Sequence, residues 1–138
     1  SHPESKSYRP RSNEARAWQI DLACARMEAV IAQYGCPGVI VGDFNASVNS
    51  LCLDTARTRG WVEAHDATDG FADPYNGHHF CYAEGWRPYE PQPYEKAIDH
   101  IVIKNADRLK IRDYRRVTDA YFDSLSDHYP LYVSADLT

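Results

Sequence analysis

The stretch Gly38–Ala46 reads GVIVGDFNA. Val39-Ile40-Val41 is a short apolar run between two glycines, the pattern of a strand covered on both faces. Asp43, Phe44 and Asn45 follow at once, so polar side chains arrive where the strand ends. Loops at strand ends are where α/β enzymes gather sites from distant segments. Upstream, Trp18, Leu22 and Ala25 recur at helical spacing, as do Ile20, Met27, Ile31 and Tyr34. A helix is predicted from Glu14, capped by Ser12 or Asn13 and stopped by Gly35 and Pro37. Its short connection to the strand lays it against the sheet. Ser1 to Ser12, polar with two prolines, reads as a loop.

Downstream, Asn45 to Ser50 is turn-rich, and a second helix is predicted from about Ser50 to Arg59, ended by Gly60. Asp66 to Pro93 is a long segment rich in Gly, Pro, Asn and Tyr, and long irregular segments in compact domains are often functional. Three strand candidates follow. Ala97–Lys104 (AIDHIVIK) is apolar at Ile98 and alternates afterwards; Leu109–Tyr114 alternates Leu109 and Ile111 with basic residues; Tyr129–Leu137 alternates Leu131, Val133 and Ala135 with more polar neighbours. No repeat or low-complexity tract interrupts this order.

A chain of 138 residues is one domain or less, and 43% apolar with 25% charged residues is ordinary for a soluble globular protein. No run of ~18 apolar residues offers a membrane span. The chain does not begin with Met and shows no secretory signal pattern at its start, which reads as a trimmed or partial chain. A net charge of −5 weighs against tight, non-specific gripping of long nucleic acid, because phosphate neutralisation supplies much of that affinity. It leaves phosphoester chemistry open, since metal ions offset the repulsion. Cys24, Cys36, Cys52 and Cys81 contain no C-x-x-C pair, so structural zinc is not expected. Free, mostly buried thiols in a reducing compartment are the favoured reading, which leans toward the cytoplasm over secretion.

The residues able to do chemistry fall in three clusters: Gly42-Asp43-Phe44-Asn45, Ile98-Asp99-His100 and Ser126-Asp127-His128. If the strand continues to Asn45, Asp43 and Asn45 point to one side. They pair a carboxylate for water or metal with an amide donor for a charged oxygen. Asp127-His128 adds a carboxylate and an imidazole, and an imidazole needs a partner to fix its tautomer. Asp99, flanked by Ile98 and Ile101, is the candidate partner. Singly, each cluster is weak: an Asp after a strand is more often a turn former or cap. Asp99 is the least bland, because an unpaired buried carboxylate is costly.

In order, GVIVGDFNA, AIDHIVI and LSDHYPLYV resemble the later half of the endonuclease/exonuclease/phosphatase superfamily: hydrophobic-GDFN, then IDH or IDY, then SDH-x-P. Arg16 and Gln19 are similar to an R-x-x-Q on the helix before GDFN. The resemblance implies an α+β fold, a four-layer α/β sandwich of two packed, mainly antiparallel sheets with outer helices. Residues 1–138 would form the C-terminal half of that single domain. It further implies that Asp43 orients or deprotonates a water, Asn45 stabilises charge on the phosphate, Asp127 helps hold Mg2+ or Mn2+, and His128, oriented by Asp99, acts as base or donor. Whether Asp43 or His128 is the base stays open. His2 is similar to a family histidine ending the strand before the R-x-x-Q helix, although Pro3 departs from that pattern.

The family's first half supplies an Asn and a metal-binding Glu that have no counterpart before Ser1. The expected partners are therefore an N-terminal half and a phosphoester substrate, either nucleic acid or a small or lipid phosphodiester. A W-C-D-R segment is absent, which weighs against inositol polyphosphate phosphatases. The rival reading is a non-catalytic, partner-binding module on the same fold. Several other features read as structural. These are His78-His79 and His65-Asp66 as loop residues, His100 as packing, and the aromatics Phe80, Tyr82, Trp86, Tyr89 and Tyr94 as loop packing. Arg108, Lys110 and Arg112, with Arg115 and Arg116 after them, read as a solvated edge strand blunted by charge.

Overall fold

A computed structural model describes residues 9–76, 81–82, 85–86 and 92–138. Helix α1 spans Arg9–Tyr34 and starts five residues before the expected Glu14. Pro10 does not prevent this, because a proline in the first turn lacks only an amide that would be orphaned anyway. Ser12 and Asn13 lie inside the helix and accept hydrogen bonds from Arg16 Nη1 at 3.0 and 3.1 Å instead of capping it. Gly35, at φ 63°, closes the last turn with its N–H donating to Ile31 O at 2.7 Å. The second helix, α2, runs Leu51–Thr58 with Ser50 as its N-cap, its side chain accepting from Leu53 N–H.

The strands form two three-stranded sheets. In the first, β4 (Asp99–Lys104) lies between β1 (Gly38–Asp43) and β2 (Val62–Glu63), antiparallel to both. In the second, β5 (Leu109–Arg116) lies between β6 (Leu131–Leu137), antiparallel, and β3 (Thr68–Ala72), parallel. Two small ladders, Tyr75–Asn76 with Gln92–Pro93 and Cys81–Tyr82 with Gly85–Trp86, occupy the long segment expected to be a loop.

Both helices cover one face of the first sheet. Ile20, Cys24 and Ile31 of α1 and Cys52 and Leu53 of α2 pack with Trp61 and Val102. On the other face, Ile103 of β4 packs with Ile111 and Tyr114 of β5, joining the two sheets. The result is the expected α+β sandwich, with helices, sheet and sheet stacked in layers. Cys24, Cys36 and Cys52 are free thiols, and burial pushes the Cys24 thiol up to about 11.

Two further expectations fail. Val39 and Val41 are 40% and 66% exposed, so β1 is not covered on both faces. Only Ile40, turned toward α1, reaches the core, because β1 is an edge strand with a helix on one side. The basic strand β5, in turn, is no edge: it is paired on both sides. Its positive charges are met by acids on neighbouring strands, Lys110 by Asp69 at 3.1 Å and Arg112 by Asp136 at 2.7 Å.

Candidate active site

The antiparallel register of β1 and β4 sets Asp43 directly opposite Asp99 at one end of the sheet. The loop before β6 brings His128 over this pair. His128 Nδ1 lies 3.0 and 2.9 Å from the two oxygens of Asp99, and Nε2 lies 3.8 Å from Asp43 Oδ2. A carboxylate can only accept, so Nδ1 carries a proton toward Asp99, and the opposite nitrogen, Nε2, is turned toward Asp43. His128 N–H donates to Ser126 Oγ at 3.1 Å, which steadies the loop. The side chains of Asp99 and His128 are 14% and 23% exposed, and that of Asp43 is 38% exposed, so the imidazole sits between a sheltered carboxylate and an open one.

Arg116 completes the group. Its Nη1 donates to Asp99 Oδ2 and to Tyr129 O, each at 2.9 Å, and the side chain is almost fully buried. Strict alternation from Leu109 and Ile111 would put Asp113 and Arg115 inside. The register instead shifts opposite Ser134 and Ala135, where Ile111 and Asp113 take successive partners and Arg112 is left over. That one-residue bulge flips the face, so Tyr114 and Arg116 point inward. Arg116 was read from sequence as a solvated charge; no alternation rule could find it, because the bulge arises from pairing with β6.

The strand ends at Asp43 and does not continue to Asn45. Asn45 takes a left-handed conformation, φ 49°, and its N–H donates to Asp43 Oδ1 at 2.8 Å. Both still line one cleft of about 330 Å³ together with Arg16 and Gln19 of α1, while Asp43, Asp99, Arg116 and His128 line its neighbour. Asp43 belongs to both clefts.

The same arrangement of helices and sheets recurs in solved structures. A mannosyl-6-phosphatase of Bacteroides thetaiotaomicron superposes with TM-score 0.70 at 20% identity, over 90% of this chain and 46% of that one. An endonuclease/exonuclease/phosphatase family protein of the same organism gives 0.67 at 19%, over 89% and 44%. Another from Bacteroides vulgatus gives 0.66 at 20%, over 91% and 45%. The fold matches about half of an endonuclease/exonuclease/phosphatase fold. The chain spans about half the length of the structures it matches. No protein-family model matches the sequence, and no curated protein does.

On this endonuclease/exonuclease/phosphatase-like half, Asp43, Asp99 and His128 come together, with ligand atoms within 4.8 Å of one another. Such a set could hold a cation, although Asp99 already serves Arg116 and His128. Asp127 is exposed and stands outside that set. His2, His78, His79, Phe80 and Tyr89 lie outside the described residues, as do the side chains of Tyr82 and Trp86. His65 stacks on Tyr94 with ring centroids 3.5 Å apart, so it is a packed residue more than a loop one. His100 is fully buried, its ring nitrogens facing Ala46 O and Glu63. Among the described residues, no helix is long and apolar enough to cross a membrane.

Proposed function

We propose that the chain is the C-terminal half of a divalent-metal-dependent phosphoester hydrolase that needs an N-terminal half for activity. The observation that carries this reading is the His128 ring held by Asp99 on one nitrogen and facing Asp43 with the other. A fixed tautomer with its basic nitrogen beside an open carboxylate is suited to moving a proton from water or to donating toward a phosphate oxygen. Asp43 orients the attacking water, and Asn45, two residues on, offers an amide to the charge that develops on phosphorus-bound oxygens. Arg116 pairs with Asp99 and holds its carboxyl in place, so that Asp99 keeps the ring oriented.

The donor set fits a hard cation in part. In the cluster, the exposed carboxylate of Asp43 is an oxygen ligand of the type Mg2+ or Mn2+ prefers, with water and substrate expected to fill the remainder; Asp127, exposed but outside the cluster, is the further carboxylate nearest in sequence to His128. When bound, such an ion would polarise a phosphate oxygen and offset charge in an acidic protein. The net charge of −5 favours a small phosphoester over long nucleic acid.

The test is the chain joined to a first half and assayed with and without Mg2+ or Mn2+. Its panel holds plasmid DNA, an abasic oligonucleotide, lipid headgroup esters, a sugar phosphate and a chromogenic phosphodiester. Hydrolysis that EDTA abolishes is expected for at least one of them. A folded, completed protein that binds millimolar magnesium yet cleaves none, or one that ignores the metal, would overturn the reading in favour of a binding module.

A further inference from the structure

Beneath the loop that carries Asp43 and Asn45 lies a buried polar cluster that the proposed chemistry does not use. Its centre is Glu63, the last residue of β2 and only 2% exposed. Arg57 Nη2 donates to Glu63 Oε1 at 2.7 Å, the Tyr94 hydroxyl donates to Oε2, and His100 Nδ1 lies 3.5 Å from Oε2. Burial opposes ionisation of this carboxyl, but the adjoining His100 ring, the Tyr94 hydroxyl and the Arg57 guanidinium outweigh it and keep the carboxyl below its usual range.

The same two donors also hold the loop. His100 Nε2 lies 2.7 Å from Ala46 O, and because a carbonyl only accepts, that nitrogen carries a proton. Arg57 Nη2 donates to Val48 O at 2.7 Å. Two carbonyls directly after Asn45 are thus fastened by two side chains that share one buried carboxylate. The His100 ring also lies 5.3 Å from the Phe44 ring, between Asp43 and Asn45. A buried ionic cluster is a weak way to gain stability, since apolar residues of similar volume often do as well. Its position under this one loop suggests a different use.

We propose that Glu63 is a positioning residue that, through Arg57 and His100, sets the course of the loop Phe44–Val48 and so aims Asp43 and Asn45 at the substrate. This rests on the phosphoester-hydrolase reading of the site. A misaimed Asn45 loses its effect on developing charge while substrate binding is largely kept, so the effect belongs on kcat more than on KM.

The test uses the completed protein with Glu63→Ala and Glu63→Gln, assayed well below each variant's Tm, with amide hydrogen exchange measured in parallel. The amide variant still accepts from Arg57 and can donate to His100 Nδ1, so it should stay within ~3-fold of wild type. Glu63→Ala should lower kcat by ~10- to 100-fold with KM within ~3-fold, and should speed exchange at Asn45–Asn49 but not in β4. Unchanged kcat, or exchange raised evenly along the chain, would overturn the proposal. If Glu63→Ala does not fold, Arg57→Met, which removes the Val48 anchor together with the pairs to Glu63 and Asp54 and leaves the His100 anchor on Ala46, should still speed exchange at the loop and lower kcat; no change in either overturns it too. Should the wild type hydrolyse nothing, the functional reading fails, while the exchange comparison still decides whether Glu63 holds the loop.

Discussion

Asp99 reaches His128 with both carboxylate oxygens, at 3.0 and 2.9 Å from one ring nitrogen, across 29 residues of sequence. The carboxylate fixes which nitrogen holds the proton, and the opposite nitrogen is the one aimed at Asp43. In the completed enzyme, Asp99→Asn keeps the shape but lets the amide favour the wrong tautomer. A loss of ~10² or more in kcat with little change in KM is expected. A variant within threefold of wild type would remove Asp99 from the mechanism.

Arg116 is the cation against which Asp99 is buried, with side-chain exposures of 3% and 14%. Arg116→Met takes away that partner and the donor to Tyr129 O, leaving a sheltered carboxylate uncompensated. Breaking such a pair costs about 3–5 kcal/mol. Denaturant unfolding of the completed protein should show a loss near that size, partly recovered in the double variant Arg116→Met/Asp99→Asn. Equal stability of single variant and wild type would mean the pair contributes nothing.

Gly70 lies against the bulge that turns Arg116 inward. A Cβ built there would stand 2.0 Å from the backbone oxygen of Arg112, so β3 can follow β5 only without a side chain at this position. Gly70→Ala should cost roughly 1–3 kcal/mol and disturb the pairing of β3 with β5. Thermal unfolding reads the loss, and a wild-type Tm would show that the strand shifts freely.

Val39 and Val41 are exposed on one face of β1, and among the described residues both β1 and β6 lie at the ends of their sheets. Residues 1–138 expressed alone are therefore expected to be inactive and to aggregate or bind an apolar dye. Adding a first-half polypeptide should restore solubility and metal-dependent hydrolysis together. A soluble, cooperatively unfolding monomer that hydrolyses phosphoesters unaided would show that the fold closes on its own.

Much of the architecture was legible in the residues themselves, because it depends on local chemistry. Ser50 and Gly60 bracket α2, Gly35 ends α1, and the apolar runs at Val39–Val41, Ile101–Ile103 and Leu131–Val133 all lie in strands. Asp43, Asp99 and His128 could be singled out because each sits where a strand begins or ends. Glu63 was missed, although a carboxylate inside the apolar run Trp61-Val62-Glu63-Ala64 was a readable signal of a buried, paired charge.

Other features were decided only by tertiary structure, since they depend on pairing between segments far apart in the chain. Periodicity cannot say that β1 is an edge with one bare face, for that depends on which strands lie beside it. Nor can it say that Arg116 faces inward while Arg115 faces out, because the bulge at Arg112 exists only against β6. The meeting of Asp43, Asp99 and His128 likewise comes from the antiparallel register of β1 with β4 and the return of the last loop over them. Sequence by itself named the groups and their local supports; the register of strands decided which groups touch.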